Sequence, residues 1–203
     1  MKMKLYCSPT SPYARKVRVV AAELGLTDLI DEINVDPHSS PAELLAVSPL
    51  SKIPVLVTER GETLPDSSLI IEYLLTRGRG VTGLPRGSKR WSALRCETIA
   101  NGIIDAAVAT VMEKKRPESI VYTAHLDRQA ALIARSLEIL NNETSGFEPE
   151  APSVVEISVG VALGYLDLRM PYLEWRKSHE ALASWYTGFA QRASMVRSQP
   201  PVV

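Results

Sequence analysis

Near the start of the chain, hydroxyl and proline residues separate a short apolar segment from a helical stripe. Ser8-Pro9-Thr10-Ser11-Pro12-Tyr13 follows Met3-Lys4-Leu5-Tyr6-Cys7 and precedes Val17, Val20, Ala21 and Leu24. The spacing predicts a strand, a turn and a helix. Hydroxyls at a helix start sit where backbone N–H groups lack intrahelical partners and where the helix dipole favours negative charge. They can cap the helix, or they can hold an anion such as a thiolate. Asp66-Ser67-Ser68, ahead of Leu69, Ile70, Tyr73 and Leu74, is a second helix entrance of this kind, acidic as well as hydroxyl-rich. Between the two lies Ile53-Pro54-Val55-Leu56-Val57, an apolar strand with proline near its start. Proline donates nothing to a sheet ladder, so it belongs at an edge or an entrance. It is there either as an ordinary trans proline or as a bend that exposes the backbone groups of Ile53 and Val55, which could pair strand-like with a bound peptide.

Other chemistries find little support. The two cysteines, Cys7 and Cys96, have no metal-ligand spacing, and Cys7 reads as a buried, inert thiol on or just beyond the first strand. The sequence has no GxGxxG, no phosphate-cradling loop and no metal-spaced His or Cys cluster. Lys plus Arg and Asp plus Glu both total 23, and a net charge of zero argues against a nucleic-acid binder that works by neutralising phosphates. With 45% hydrophobic and 23% charged residues the composition is that of a globular protein, and 203 residues suffice for one large or two small domains. The chain reads as entering a strand at once, and no signal segment is expected. Its most apolar run, Val154 to Leu168, is too short to span a bilayer and contains Glu156 and Asp167. The expectation is a soluble protein of a reducing cytoplasm, with no membrane partner.

The elements that must position these residues alternate over the first third of the chain. After the first strand and helix, Gly25 takes a C-cap position and Leu29 to Val35 reads as a second strand. The turn-rich Asp36-Pro37-His38-Ser39-Ser40-Pro41 and a short helix, Ala42 to Leu45, lead to the strand at Ile53. A hairpin at Glu59-Arg60-Gly61 then precedes a fourth strand and the helix opened by Asp66. The order β-α-β-α-β-β-α is that of a thioredoxin-like domain, assigned to residues 1–77. A Gly-rich linker covers 78–87, and residues 88–203 show only helical periodicity. Ser88 can cap a helix carrying Trp91, Leu94, Thr98, Ile103 and Ala106. Leu126, Ala130, Ile133, Leu137 and Leu140 form a stripe, and Leu182, Trp185 and Phe189 give a final amphipathic helix. Ser153-Val154-Val155-Glu156 is a capping-box pattern ahead of a helix apolar enough to be buried on most sides.

Ser11-Pro12-Tyr13, Ser48-Pro49-Leu50-Ser51-Lys52-Ile53-Pro54-Val55-Leu56 and Asp66-Ser67-Ser68-Leu69-Ile70-Ile71-Glu72-Tyr73-Leu74, in this order and spacing, resemble the glutathione transferase superfamily. Arg95-Cys96-Glu97 and Ala100 to Ala107 are similar to bacterial members, which extends the resemblance over nearly the whole chain. It implies an α+β thioredoxin-like N-terminal domain with a cis Ile53-Pro54 bond, followed by an all-α helical-bundle C-terminal domain. Two departures stand out. Glu156 replaces the Asp usual in the family's Ser-x-x-Asp box. Ser11-Pro12-Tyr13-Ala14 resembles the Cys-Pro-Tyr-Cys of glutaredoxins with both cysteines replaced, so disulfide exchange there lacks its thiolate.

The resemblance implies glutathione as co-substrate and a role for each matching residue. Ser11 is the candidate that donates to the thiolate, with Ser8 and Thr10 as rivals on the same turn. Asp66 and Ser67 would hold the γ-glutamyl end, the Ile53 backbone across the Pro54 bend the cysteinyl part, and Lys52, with His38 less central, the glycine carboxylate. A hydrophobic electrophile would bind between the domains against Asn101, Ile104, Asp105 and Val108, a face that could equally be the seam of a C2 homodimer. The expected activity is conjugation to the glutathione sulfur. The alternatives are a glutathione-dependent isomerase or dehalogenase on the same fold and a non-enzymatic interaction module, the last disfavoured by the retention of Ser11, Lys52, Pro54, Asp66 and Ser67.

Overall fold

A computed structural model describes residues 2–79, 83–148 and 152–201. β1 (Met3–Cys7) runs through the 8–11 turn into α1 (Pro12–Glu23), and β2 (Ile30–Asn34) follows a 3-10 turn at Thr27–Leu29. α2 (Ala42–Leu45), β3 (Val55–Val57), β4 (Thr63–Pro65) and α3 (Ser67–Leu75) complete the expected order. The sheet is ordered β2-β1-β3-β4. β1 and β2 are parallel, with Cys7 opposite Asn34. β3 is antiparallel to both of its neighbours, with Val55 opposite Tyr6 on one side and Pro65 on the other. This register puts the carboxyl ends of β1, β2 and β4 and the amino end of β3 at one end of the sheet. The 8–11 turn, the 36–40 loop, residues 51–54 and Asp66-Ser67 all lie at that end.

Both faces of the sheet are covered. Leu44 of α2 packs on Val35 and Val55, joined by Tyr6, Ile33, Val47 and Ile53. By the period-two alternation of strands, Leu5 and Leu56 point to the opposite face, beneath α1 and α3, and are 1% and 0% exposed. Each such leucine contributes about 1.5–3 kcal/mol of apolar burial. Gly61, at φ 84°, closes the β3–β4 hairpin, where Thr58 N–H donates to the Glu62 carbonyl at 2.9 Å. Gly78 has no room for a side chain, because a Cβ there would stand 2.7 Å from Leu24 Cβ.

The helical unit comprises α4 (Lys89–Lys114), α5 (Thr123–Glu143), α6 (Val154–Arg169) and α7 (Glu180–Phe189). Every residue of α6 from Val154 to Leu166 is buried, and α4 packs on both α5 and α6. The capping box forms as its sequence predicts: Val155 N–H donates to Ser153 Oγ at 3.1 Å and Ser153 N–H to Glu156 Oε2 at 2.8 Å. Glu156 does more than close the box, since its other oxygen accepts the Glu148 N–H at 3.2 Å. Some helical details differ from expectation. Ser88 has helical dihedrals and makes no side-chain cap bond. In the α5 stripe Ile133, Leu137 and Leu140 are buried, but Ala130 is exposed. Ile104 is 0% exposed and belongs to the core, whereas Asn101 and Val108 are half-buried and Asp105 is exposed.

The contacts divide the chain between Gly83 and Leu84, inside the predicted linker, whose residues 80–82 lie outside the described residues. The first unit also takes the chain from Ala193 onward, which the sequence reading gives to the helical domain. The reason is α8 (Ala193–Arg197), a helix with no counterpart in that reading, which packs on α1 and buries Met195. Among the described residues no helix is long and apolar enough to cross a membrane.

Candidate active site

Ser11 is the N-cap of α1, with φ −72° and ψ 121°. Its Oγ accepts the Ala14 N–H at 3.2 Å and its carbonyl accepts the Arg15 N–H at 3.0 Å. Pro12 follows at the helix's first position, where a missing N–H goes unnoticed. The turn is held at two further points. Ser11 N–H donates to the Ser8 carbonyl at 3.2 Å, and Arg18 Nη2 donates to the Pro9 carbonyl at 3.1 Å. Capping is therefore one thing this hydroxyl does, and it does not exclude the other. A serine hydroxyl has two acceptor sites and one proton, so accepting from Ala14 leaves the proton to donate. Ser8 and Thr10 stand half-buried on the same turn.

Asp66 caps α3 from a backbone conformation that residues with a side chain rarely adopt, φ 75° and ψ 137°. Holding it there costs about 1–3 kcal/mol. Its Oδ1 accepts the Ser68 N–H at 2.7 Å, and its carbonyl accepts the Ile70 N–H at 3.1 Å. The Asp66 side chain is exposed while Ser67 is buried. First-turn N–H groups have no intrahelical acceptor, so with Ser68 capped by Asp66 the Ser67 N–H is available to a ligand. A carboxylate beside an open helix N-terminus suits a group that carries an ammonium and a carboxylate together.

The Ile53-Pro54 peptide is cis. Ile53 sends its side chain into the core beside Val35, Leu44 and Val55, and Pro54 is buried. Lys52, immediately before, is exposed. His38 is also exposed, in a 3-10 turn at Pro37–Ser39 whose His38 N–H donates to Asp36 Oδ1 at 3.0 Å. Ser51 stitches the two loops together: its hydroxyl lies 3.3 Å from the Pro37 carbonyl and 2.9 Å from Ser40 Oγ. Ser40 and Ser51 both have left-handed backbones, at φ 46° and 48°. The loops of His38 and Lys52 thus meet at the sheet end that also carries Ser11 and Asp66.

Neither thiol is poised for chemistry. Cys7 is 2% exposed, and its Sγ lies 3.6 Å from Glu32 Oε2. Burial first, and then the Glu32 carboxylate, push its pKa up to about 12, against a smaller opposing pull from Arg18. Burial likewise raises Cys96. Among the described residues no group of His, Cys, Asp and Glu could hold a metal ion. The sequence reading assigns no role to Arg18, which braces the turn, or to Arg15, which is 6% exposed. Their only sequence signal is position, in the helix that starts at Ser11.

Residues 10–77 match the family model for the glutathione S-transferase N-terminal domain, and residues 123–188 match that for the C-terminal domain. The uncharacterized GST-like protein YibF of Escherichia coli K12 is 33% identical over 202 residues, which cover 98% of this chain and 99% of that protein. Among solved structures, a glutathione transferase family member from Pseudomonas fluorescens Pf-5 with bound glutathione superposes with a TM-score of 0.91 at 37% identity, over 99% of this chain and 100% of the other. A second structure of it, with bound S-(propanoic acid)-glutathione, gives 0.86 at 36% over 98% and 100%. A glutathione S-transferase from Methylobacillus flagellatus KT with glutathione bound gives 0.88 at 38%, again over 98% and 100%. The family models fall in the thioredoxin-like unit and in the helical unit, the relatives align from end to end, and the chain belongs to the glutathione S-transferase family.

Proposed function

We propose that this chain is a glutathione transferase that binds glutathione at the shared sheet end and ionises its thiol for attack on a hydrophobic electrophile. The observation that carries the reading is the Ser11 hydroxyl at the N-terminus of α1, its Oγ already accepting from Ala14 and its proton available to donate. Asp66 accepts from the glutathione ammonium, and the Ser67 N–H at the start of α3 holds the γ-glutamyl carboxylate. The Ile53 backbone beside Pro54 pairs with the cysteinyl part, and Lys52 and His38 neutralise the glycine carboxylate. A free thiol titrates near ~8.5, and lowering it by about two units corresponds to roughly 2.7 kcal/mol of preferential thiolate binding. The thiolate sulfur then forms a bond to the electrophilic carbon as that carbon's leaving group departs or its π bond opens.

Relatives that align end to end and have been crystallised with glutathione support the reading. The Pseudomonas fluorescens protein has also been crystallised with S-(propanoic acid)-glutathione, whose substituted sulfur is the kind of adduct that attack by the glutathione thiolate on an electrophilic carbon would form. The reading includes a homodimer in a reducing cytoplasm, toward which the exposed apolar Trp91 of α4 and Leu69 of α3, at 73% and 47%, are suitable surface. The test is calorimetric titration with glutathione, followed by the ultraviolet absorbance of the bound thiolate as a function of pH and by a screen of electrophiles. Binding with ionisation below neutral pH is expected. No binding, or a titration at the free value, overturns the proposal.

A further inference from the structure

Arg15 ties the first turn of α1 to the far end of the chain. Its backbone N–H donates to the Ser11 carbonyl at 3.0 Å. Its side chain leaves the other way, Nη2 donating to the Met195 carbonyl at 3.1 Å and Nε to Ser198 Oγ at 3.4 Å. Ser198 Oγ in turn donates to the Met195 carbonyl at 3.3 Å. Arg15, Met195 and Ser198 are 6%, 1% and 5% exposed. A further bond, from Ser194 Oγ to Glu23 Oε1 at 2.5 Å, holds the same segment to the other end of α1. The segment is therefore clamped along α1 at two points about two turns apart.

The clamp is polar by necessity. Burying a guanidinium away from its acceptors is costly, so Arg15 holds its turn where Met195 and Ser198 can be reached. Apolar packing does not do this work alone. Beside the clamp a cavity of about 100 Å³ remains between α1, β2 and α8, lined among others by Arg18, Ala22, Ile30, Ser194 and Arg197.

We propose that Arg15 is a positioning residue of the thiol site: its bonds to Met195 and Ser198 fix the first turn of α1, and with it the direction in which the Ser11 hydroxyl donates. The inference rests on the role given to Ser11 above. One atom pair reports on it directly, because the Ala14 N–H has Ser11 Oγ as its acceptor at 3.2 Å.

The test uses the full-length chain and its Arg15→Met, Arg15→Lys and Ser198→Ala variants, with two readouts. Without glutathione, amide hydrogen exchange at Ala14, referenced to Leu56 in the sheet, shows whether Ser11 Oγ stays on its donor. With glutathione, the pH midpoint of thiolate absorbance shows whether the hydroxyl still donates to sulfur. Arg15→Met is expected to speed Ala14 exchange about tenfold relative to Leu56 and to raise the midpoint by about one pH unit, with glutathione affinity held within about threefold. Ser198→Ala moves both readouts the same way by less, and Arg15→Lys, which keeps a donor for the Met195 carbonyl, recovers part of the loss. A lower melting temperature in Arg15→Met with both readouts unmoved overturns the proposal and leaves Arg15 a structural residue. Should Arg15→Met fail to fold, Ser198→Ala decides in the same way. A wild-type complex without thiolate overturns the role of Ser11 itself, and it is told apart from failure of Arg15 because it appears before any substitution is made.

Discussion

The Ala14 amide donates to the Ser11 hydroxyl oxygen across 3.2 Å, so a single atom caps α1 and stands at the proposed thiol site. Ser11→Ala accordingly has two effects that different measurements separate. The lost cap costs about 1 kcal/mol and appears as a modest fall in melting temperature. The lost donor lowers conjugation by roughly 10–1000-fold while glutathione still binds through Asp66 and Ser67. A variant that loses only stability moves the donor role to Ser8, Thr10 or a backbone N–H. Ser11→Cys is expected instead to form a mixed disulfide with glutathione, visible by mass.

Asp66 combines a left-handed backbone, at φ 75°, with a carboxylate turned to solvent. Asp66→Gly relieves about 1–3 kcal/mol of backbone strain and gives up only a few tenths as a cap. Its greater unfolded-state freedom offsets roughly 0.4–1 kcal/mol of the gain. Stability equal to or above wild type is expected, together with glutathione affinity lowered by about 10–100-fold through loss of a charged acceptor worth roughly 1.5–3 kcal/mol. Asp66→Asn keeps the capping oxygen without the charge and should lose affinity as well. Calorimetric affinities that match wild type in both variants would remove the ammonium contact.

The Cys7 thiol has its pKa pushed up to about 12 from a usual value of 9.0. Folding keeps it protonated where the unfolded chain ionises, so the folded state binds more protons across that interval and stability falls as pH rises. The contribution is fully present below about pH 9 and is lost on the way to about 12. Urea unfolding between pH 8 and about 10.5 should show a falling midpoint, with a shallower slope in Cys7→Ala than in wild type. Ellman's reagent should meet neither Cys7 nor Cys96 quickly in the folded protein, both being buried, and should titrate both in urea. A fast-reacting native thiol contradicts the burial.

Glu156 holds two backbone donors, the N–H groups of Ser153 at 2.8 Å and Glu148 at 3.2 Å. Glu156→Ala leaves both without their acceptor and is expected to cost about 2–3 kcal/mol, against about 1 for Ser153→Ala. The double variant should fall short of the sum, because both residues belong to one box. Chemical denaturation of the four proteins measures this, and full additivity would count against a shared box. Conjugation per folded molecule should not change.

What the sequence reveals here is largely what is local. The hydroxyl of Ser11, the ring of Pro54, the bare backbone of Gly61 and the carboxylate of Asp66 announce turns and helix starts, and the strands and helices follow between them. The gathering of four loops at one sheet end needs the order β2-β1-β3-β4, which no local pattern contains. The Ser51 stitch between the Lys52 and His38 loops depends on two left-handed serines, which have no composition signature. Ile104 shares a helical spacing with Asn101 and Asp105, yet it is wholly buried, because α4 packs on two helices at once and its buried arc is wider than one stripe. Arg15 lies on the side of α1 away from Val17, Val20 and Ala21, so the apolar stripe gives no sign of its burial. It is buried, and its guanidinium bonds a segment that the chain reaches only 183 residues later.

That separation has a consequence in time. A ribosome adding about 5–20 residues per second supplies Ser198 roughly 10–40 s after Arg15. Over that interval the strands and the turn bearing Ser11 have been synthesised, while both of these acceptors for the Arg15 guanidinium are still untranslated. The helical unit, 84–192, is made in one uninterrupted stretch in between. The first unit is therefore made in two instalments, and the one that brings Met195 and Ser198 to the Arg15 guanidinium follows the whole of the helical unit.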